Sequence, residues 1–189
     1  MGGEVLPYSD LAGEMEPMGM KMHVSIRYST HLPVLMEVMK RTKGDVLELG
    51  PGVFSTPVLH WLCKEQKRKL LTVESHKKWS WFCRQYYDTD LHKHLWVEKW
   101  DDAKKAISKK WDVVLVDHSP SDRRRVEIAL LANLAKYIVI HDADEGKDRE
   151  YHYSKIYPLF KYKYHFGEVE PATVVLSNFV NLKDFSIYG

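Results

Sequence analysis

The chain has 189 residues, enough for one domain with a full core, and its 44% apolar and 29% charged residues are those of an ordinary globular protein. Twenty-eight Lys and Arg against 26 Asp and Glu leave a net charge of +2, without the one-sided basic excess of a duplex-binding protein, so nucleic acid is not the expected partner. No apolar run reaches the roughly 18 residues that span a bilayer, and the first residues lack the charged-then-apolar order of a secretory signal.

Residues 1–22 are rich in Met and Gly without periodicity, and an irregular arm or lid over 1–28 is expected ahead of a domain over 29–189. Leu32, Leu35, Met36 and Met39 have helical spacing within Thr30–Lys43. Val46–Leu49 reads as a buried strand and Ser55–Glu65 as a helix. Leu70–Glu74 reads as a second strand, His76–Tyr87 as a helix and Leu95–Val97 as a short strand. Asp101 or Asp102 is placed to cap another helix, and Val113–Val116 is a strand ending at Asp117. Ser119-Pro120 reads as an N-cap with proline at the first helical position, opening a helix to about Ala135. Tyr137–Ile140 is a strand ending at His141-Asp142, Asp148–Phe160 is expected to be helical, and Tyr162–Phe166 and Thr173–Ser177 close the chain as a strand pair. The alternation predicts an α/β fold with a mostly parallel sheet, helices on both faces and an antiparallel hairpin at the carboxyl-terminal edge. The basic runs 64–69 and 123–125 are expected on solvated helix ends or faces. Cys63 and Cys83, at no metal-ligand spacing, are expected as free thiols in a reducing, cytoplasmic compartment.

In such a sheet ligands bind beyond the carboxyl ends of the strands, where strand order reverses. The residues there are Glu48, Gly50 and Gly52, then Glu74, then Trp100, Asp101 and Asp102, then Asp117 and His118, then His141, Asp142 and Asp144. The turn Glu48-Leu49-Gly50-Pro51-Gly52, followed by Ser55-Thr56-Pro57, is a strand, a tight glycine turn and a helix start, the usual cradle of a nucleotide-like ligand. A pyrophosphate requires a third glycine at the helix start, where this chain has Phe54 and Ser55, and Glu48 would repel it. A carboxylate in the turn suits a cationic ligand, and Glu74, 24 positions after Gly50, suits a ribose diol. Together they favour S-adenosylmethionine over a dinucleotide.

On these residues the chain resembles the class I S-adenosylmethionine-dependent methyltransferases over about residues 29–180. The resemblance implies a Rossmann-like three-layer sandwich on a seven-stranded sheet. It implies that Glu48, Gly50, Pro51, Gly52 and Ser55 pass the methionine part and that Glu74 and Ser75 hold the ribose. Asp101 or Asp102 would bond the adenine amine, with Trp100 beside the ring and Asp117 near the reacting end.

Methyl transfer to oxygen needs a base or a metal to manage the hydroxyl proton. His118 or His141 is the candidate base, oriented by Asp117 or Asp142. The same carboxylates, Asp117, Asp142 and Asp144, with or without His141, form a candidate divalent metal site, not the favoured reading because His141-Asp142 stands where related metal sites have two acids or Asp-Asn. The Asn-Pro-Pro-Tyr signature of base and amide methylation is missing, with Asp117-His118-Ser119-Pro120 in its place, which argues for an oxygen acceptor. The arrangement resembles sugar O-methyltransferases, including the rhamnose-methylating domain of the glycan-building proteins of large algal viruses, which would work in the host cytoplasm. A sugar, glycan or small hydroxylated acceptor is implied, and a homodimer is compatible with it. The acceptor wall would come from His23, Arg27 and Tyr28, from the 143–157 segment with Tyr151, His152 and Tyr153, or from a second subunit. A noncatalytic nucleotide-binding scaffold and an RNA methyltransferase are the competing readings.

Overall fold

In the computed structural model, residues 12–15, 22–84 and 89–188 are described. Ala12–Met15 (β1) pairs antiparallel with Met22–Ser25 (β2), so the described part of the expected irregular arm is a two-stranded ribbon. The remaining strands are Val46–Leu49 (β3), Leu70–Glu74 (β4), His92–Trp96 (β5), Trp111–Val116 (β6), Ala135–Ile140 (β7), Tyr162–Phe166 (β8) and Thr173–Ser177 (β9). They form one seven-stranded sheet in the order β5-β4-β3-β6-β7-β9-β8. The first five run parallel, and β9 is antiparallel to both β7 and β8. Strand order reverses between β3 and β6, so the carboxyl ends of β3, β4, β6 and β7 surround the crevice where a ligand site is expected.

The side-chain alternation of the strands builds two cores. Val113 and Leu115 of β6 pack with Val34, Leu35, Val38 and Met39 of Leu32–Lys40 (α1) and with Leu59 and Cys63 of Ser55–Glu65 (α2). Val114 and Val116 turn the other way, onto Ala103 and Ile107 of Trp100–Ile107 (α4) and Ile128 and Leu131 of Arg124–Leu131 (α5). Strands buried on both faces carry near-continuous apolar runs, and Val-Val-Leu-Val in β6 is one. The result is the three-layer α/β sandwich expected.

Several helix bounds differ from the reading of the sequence. Lys77–Arg84 (α3) covers part of the expected His76–Tyr87 helix, whose last residues lie outside the described part. Pro120 is extended, and the chain enters α5 through a 3-10 turn at Ser121–Arg123. Asp148–Tyr151 (α6) is a single turn, because His152 takes left-handed backbone angles (φ 56°) and two 3-10 turns follow. Asp101 and Asp102 lie within the first turn of α4, and its cap position, Lys99, makes no side-chain capping bond. Cys63 and Cys83 are free and buried, as expected, and burial pushes the Cys63 thiol up to about 12. Among the described residues no helix is long and apolar enough to cross a membrane.

Candidate active site

The crevice holds a cavity of about 570 Å³, within the range of small-molecule sites. One side is built by Pro51, Gly52, Val53 and Ser55 of the turn and by Glu74, His76 and Trp79 after β4. The other side is built by Asp117, Arg124, His141, Asp142 and Lys147, roofed by Arg27, Tyr28, His31 and Pro171.

The turn is made by backbone geometry. Gly50 has φ 90°, and a Cβ there would lie 2.6 Å from the Asp117 carbonyl and the His118 nitrogen, so only glycine lets β3 and β6 end this closely. Gly52 lines the cavity, and a Cβ on it would meet Ser55 Oγ at 3.1 Å. Glu48 is fully buried beneath the turn. Its carboxylate accepts from Ser55 Oγ (2.7 Å), Thr56 Oγ1 (2.9 Å) and Thr72 Oγ1 (2.7 Å). It does not line the cavity, which corrects its expected contact with the cationic ligand: it pins the turn from below. Burial, only partly offset by those hydroxyls, pushes its pKa up to about 7.

Glu74 does line the cavity. Its Oε1 accepts from the backbone N–H of Ser75 (2.6 Å) and of His76, and burial raises its pKa to about 7. Ser75 holds the Glu74 carboxylate through its backbone N–H and its side chain. Three other expected ligand residues lie away from the cavity. Trp100 is buried, donates from Nε1 to the Ser119 carbonyl (2.7 Å) and packs on the His118 ring with centroids 3.9 Å apart. Asp101 is exposed and paired with Arg123 (3.0 Å) and Lys104 (3.2 Å), and Asp102 is exposed. Asp101 and Asp102 face outward from α4, whereas Trp100, at the helix start, turns inward onto the core.

His118 is a second correction. It is 1% exposed, its Nε2 sits 3.2 Å from Glu127 Oε2, and it does not line the cavity. Burial lowers its pKa despite Glu127, and the ring is wedged between α4 and α5 where no acceptor reaches it. His141, by contrast, does face the cavity. Its Nδ1 lies 3.2 Å from Asp117 Oδ2 and its Nε2 3.0 Å from Thr30 Oγ1. Burial pulls its pKa down, but the Asp117 carboxylate more than compensates and the net shift is upward. Asp117 is held well below the usual carboxylate range: burial opposes this, and His141 and Arg124 overcome it.

Arg124 and His31 complete the site and were not foreseen. Arg124, read as part of a solvated basic run, is 5% exposed. Its guanidinium bonds the carbonyls of His118 (2.7 Å) and His141 (3.3 Å) and pairs with Asp117 Oδ1 (3.0 Å) and Asp142 Oδ2 (3.3 Å), tying the ends of β6 and β7 together. Arg68, in the other basic run, is likewise buried and bonds the Gly44 carbonyl (2.7 Å). His31, at the head of α1, is 1% exposed, and its ring stands edge-on to His141 with centroids 4.8 Å apart. Both its nitrogens are buried without a hydrogen-bond partner among the described residues, and burial with the neighbouring His141 lowers its pKa to about 3. The triple-arginine run was visible as a motif. Nothing in the sequence around His31 marks it, since its partners lie 86 and 110 positions away, at Asp117 and His141.

The expected oxygen-ligand metal set does not fit. Lys147 Nζ reaches Asp142 Oδ1 (2.8 Å) and Asp144 Oδ2 (3.5 Å), and Arg124 takes the other oxygen of Asp142. Asp144 also accepts from the Ala172 N–H (2.9 Å) and faces away from the main cavity. Two protein cations already answer these carboxylates. Of the expected acceptor wall, Arg27 and Tyr28 line the cavity. Tyr151 and Tyr153 support it from behind, through Asp142 Oδ2 (3.2 Å) and the His141 carbonyl (3.4 Å). The side chain of His23 lies outside the described part, and His152 does not line the cavity.

No protein-family model and no curated protein sequence matches the chain. Solved structures do match it. The SAH-bound methyltransferase PaMTH1 of Podospora anserina superposes with TM-score 0.61 at 12% identity, over 82% of this chain and 79% of that one. The O-methyltransferase of Bacillus cereus in complex with SAH gives 0.56 at 12% identity, over 82% of each chain. Spermidine synthase in complex with the transition-state analogue AdoDATO gives 0.61 at 13% identity, over 93% of this chain and 71% of that one. The chain therefore shares the Rossmann-like fold of these transferases.

Proposed function

We propose that this protein is an S-adenosylmethionine-dependent O-methyltransferase acting on a hydroxyl of a sugar, a glycan or a small molecule. The observation that carries the reading is one cavity at the switch point with a glycine turn and Glu74 on one side and His141–Asp117 with His31 on the other. The residues suit the donor: Gly52 leaves the cavity wall without a side chain, and Glu74, fixed by Ser75 and His76, presents a carboxylate to the cavity that suits a ribose hydroxyl. Neighbours of the same fold are crystallised with SAH, which agrees.

When bound, the donor supplies a sulfonium methyl: the acceptor oxygen forms the new O–C bond as the S–C bond breaks, and its electron pair stays on sulfur. The chain supplies position and proton management. Ser55 and Gly52 fix the donor side, and the acceptor hydroxyl meets the His31–His141–Asp117 cluster, beside which its proton is drawn off. Arg27 and Tyr28 roof the cavity, which supports the lid reading of residues 1–28. Calorimetry with S-adenosylmethionine, S-adenosylhomocysteine and NAD, followed by labelled-methyl transfer to a panel of hydroxylated sugars, tests the proposal. Preference for NAD would sink it. Tight cofactor binding without transfer to any hydroxyl would support the scaffold reading.

A further inference from the structure

We infer that His31, Asp117 and His141 form a binding site for one divalent first-row transition-metal ion. The role given to that ion rests on the methyl-transfer reading above, whereas the binding itself does not. The three residues come from the head of α1 and the ends of β6 and β7, all line the main cavity, and their donor atoms lie within 4.8 Å of one another. His141 Nδ1 and Asp117 Oδ2 are 3.2 Å apart, close to the about 3.0–3.4 Å between neighbouring ligands of an ion with bonds of about 2.1 Å. The wider separation closes by rotation of His31, whose nitrogens no hydrogen bond holds.

Proton accounting around His141 points to a cation at this spot. Thr30 Oγ1 has one hydrogen and two carbonyl acceptors within reach, Pro171 (2.8 Å) and Arg27 (3.1 Å); with the hydrogen on either, Thr30 accepts from His141 Nε2–H (3.0 Å). Nδ1 of a neutral His141 then turns a lone pair toward the Asp117 carboxylate. Two lone pairs face each other only across a positive charge, either a proton on Nδ1 or a metal ion between the ligands. His31 decides between them. An extra proton on His141 leaves both His31 nitrogens buried without a partner, whereas a metal ion takes up one of them.

The surroundings match. Thr30 on His141, and Arg124 on the other oxygen of Asp117, are the outer partners that orient metal ligands. Two imidazoles and one carboxylate select a transition metal over Mg²⁺ or Ca²⁺. Asp142 and Asp144 are already answered by Arg124 and Lys147 and are not ligands. Three protein ligands leave positions for the acceptor hydroxyl oxygen, whose O–H bond then breaks with its electron pair kept on oxygen and its proton passed to water in the cavity.

The test is Co²⁺ titration of the chelator-treated full chain, read by visible absorption. One Co²⁺ per chain, displaced by Zn²⁺, is expected. His31→Phe should weaken binding at least tenfold, and Asp144→Asn should leave it within about twofold. No Co²⁺ spectrum from the unmodified protein overturns the inference, as does undiminished binding by folded H31F. Should H31F fail to fold, Co²⁺ broadening of imidazole proton signals in the unmodified protein decides: broadening of two histidines supports the site, and none refutes it. Calorimetry with S-adenosylhomocysteine on the metal-free protein separates the two proposals. Cofactor binding by a protein that gives no Co²⁺ spectrum would end this inference alone, and metal binding without cofactor binding would end the functional reading alone.

Discussion

The two sides of the cavity are built by different means. The turn side is local: Gly50, Gly52, Ser55 and Thr56 lie within seven residues, and Glu48 anchors them through short hydroxyl contacts. The acceptor side is assembled from α1, β6, α5 and β7, with Arg124 as the pin. Their electrostatics are opposite too. Burial without a cation raises Glu48 and Glu74 to about 7, whereas cations hold Asp117 and Asp142 below the usual range. One side is shaped by backbone and hydroxyl groups, the other by a charge network.

The largest expected effect falls on the acceptor side. His141→Ala should lower methyl transfer by about 10²–10⁴-fold while calorimetric affinity for S-adenosylhomocysteine stays within about threefold; an equal loss of both would erase the distinction between the sides. On the turn side, Gly50→Ala forces a Cβ to 2.6 Å from backbone atoms at φ 90°, and urea unfolding should show a loss of roughly 3 kcal/mol or more.

The opposed titrations give a pH test. Glu48 and Glu74 bind protons more tightly in the folded chain, so their contribution is full below pH 4.5 and is lost as pH rises through about 7. For Glu48 that loss is at most roughly 3 kcal/mol. Asp117 and Asp142 contribute in the opposite sense: their stabilisation is present above pH 3.8 and lost as pH falls below it. Buried His31 and His118, whose pKa values are lowered, stabilise the fold as pH rises over the same range, so the carboxyl contribution is read as a difference: between pH 5 and 7.5 the urea midpoint of Glu48→Gln should rise relative to that of the unmodified protein. A smaller change, about tenfold, is expected in S-adenosylhomocysteine affinity for Glu74→Gln. The smallest is Asp101→Asn, whose carboxylate is exposed outside the cavity and whose loss should change cofactor affinity less than about twofold; a tenfold loss would return Asp101 to the binding site.

Legibility in the sequence followed the range of the interactions. Ser55–Glu65, Leu70–Glu74, Tyr162–Phe166 and Thr173–Ser177 have the bounds their patterns predict, because apolar period and breakers are local signals. The pattern of Asp148–Phe160 predicts one helix, but the helix ends at His152, whose left-handed backbone no breaker residue announces. His118 and His141 look alike in the sequence, each beside an aspartate after a strand. Adjacent residues at a strand end point to opposite faces, and that phase put His141 in the cavity and His118 against Glu127.

By itself the sequence determined the alternating α/β order, the strand ends that surround the crevice and the glycine turn, since each depends on neighbours within a few residues. Only the tertiary structure decided which charges are buried and which histidines meet. Arg124 looked like surface and proved to be the pin, and His31 reaches Asp117 and His141 only once α1 packs over the sheet. Burial and convergence are properties of packed layers, and no short stretch of chain encodes them alone.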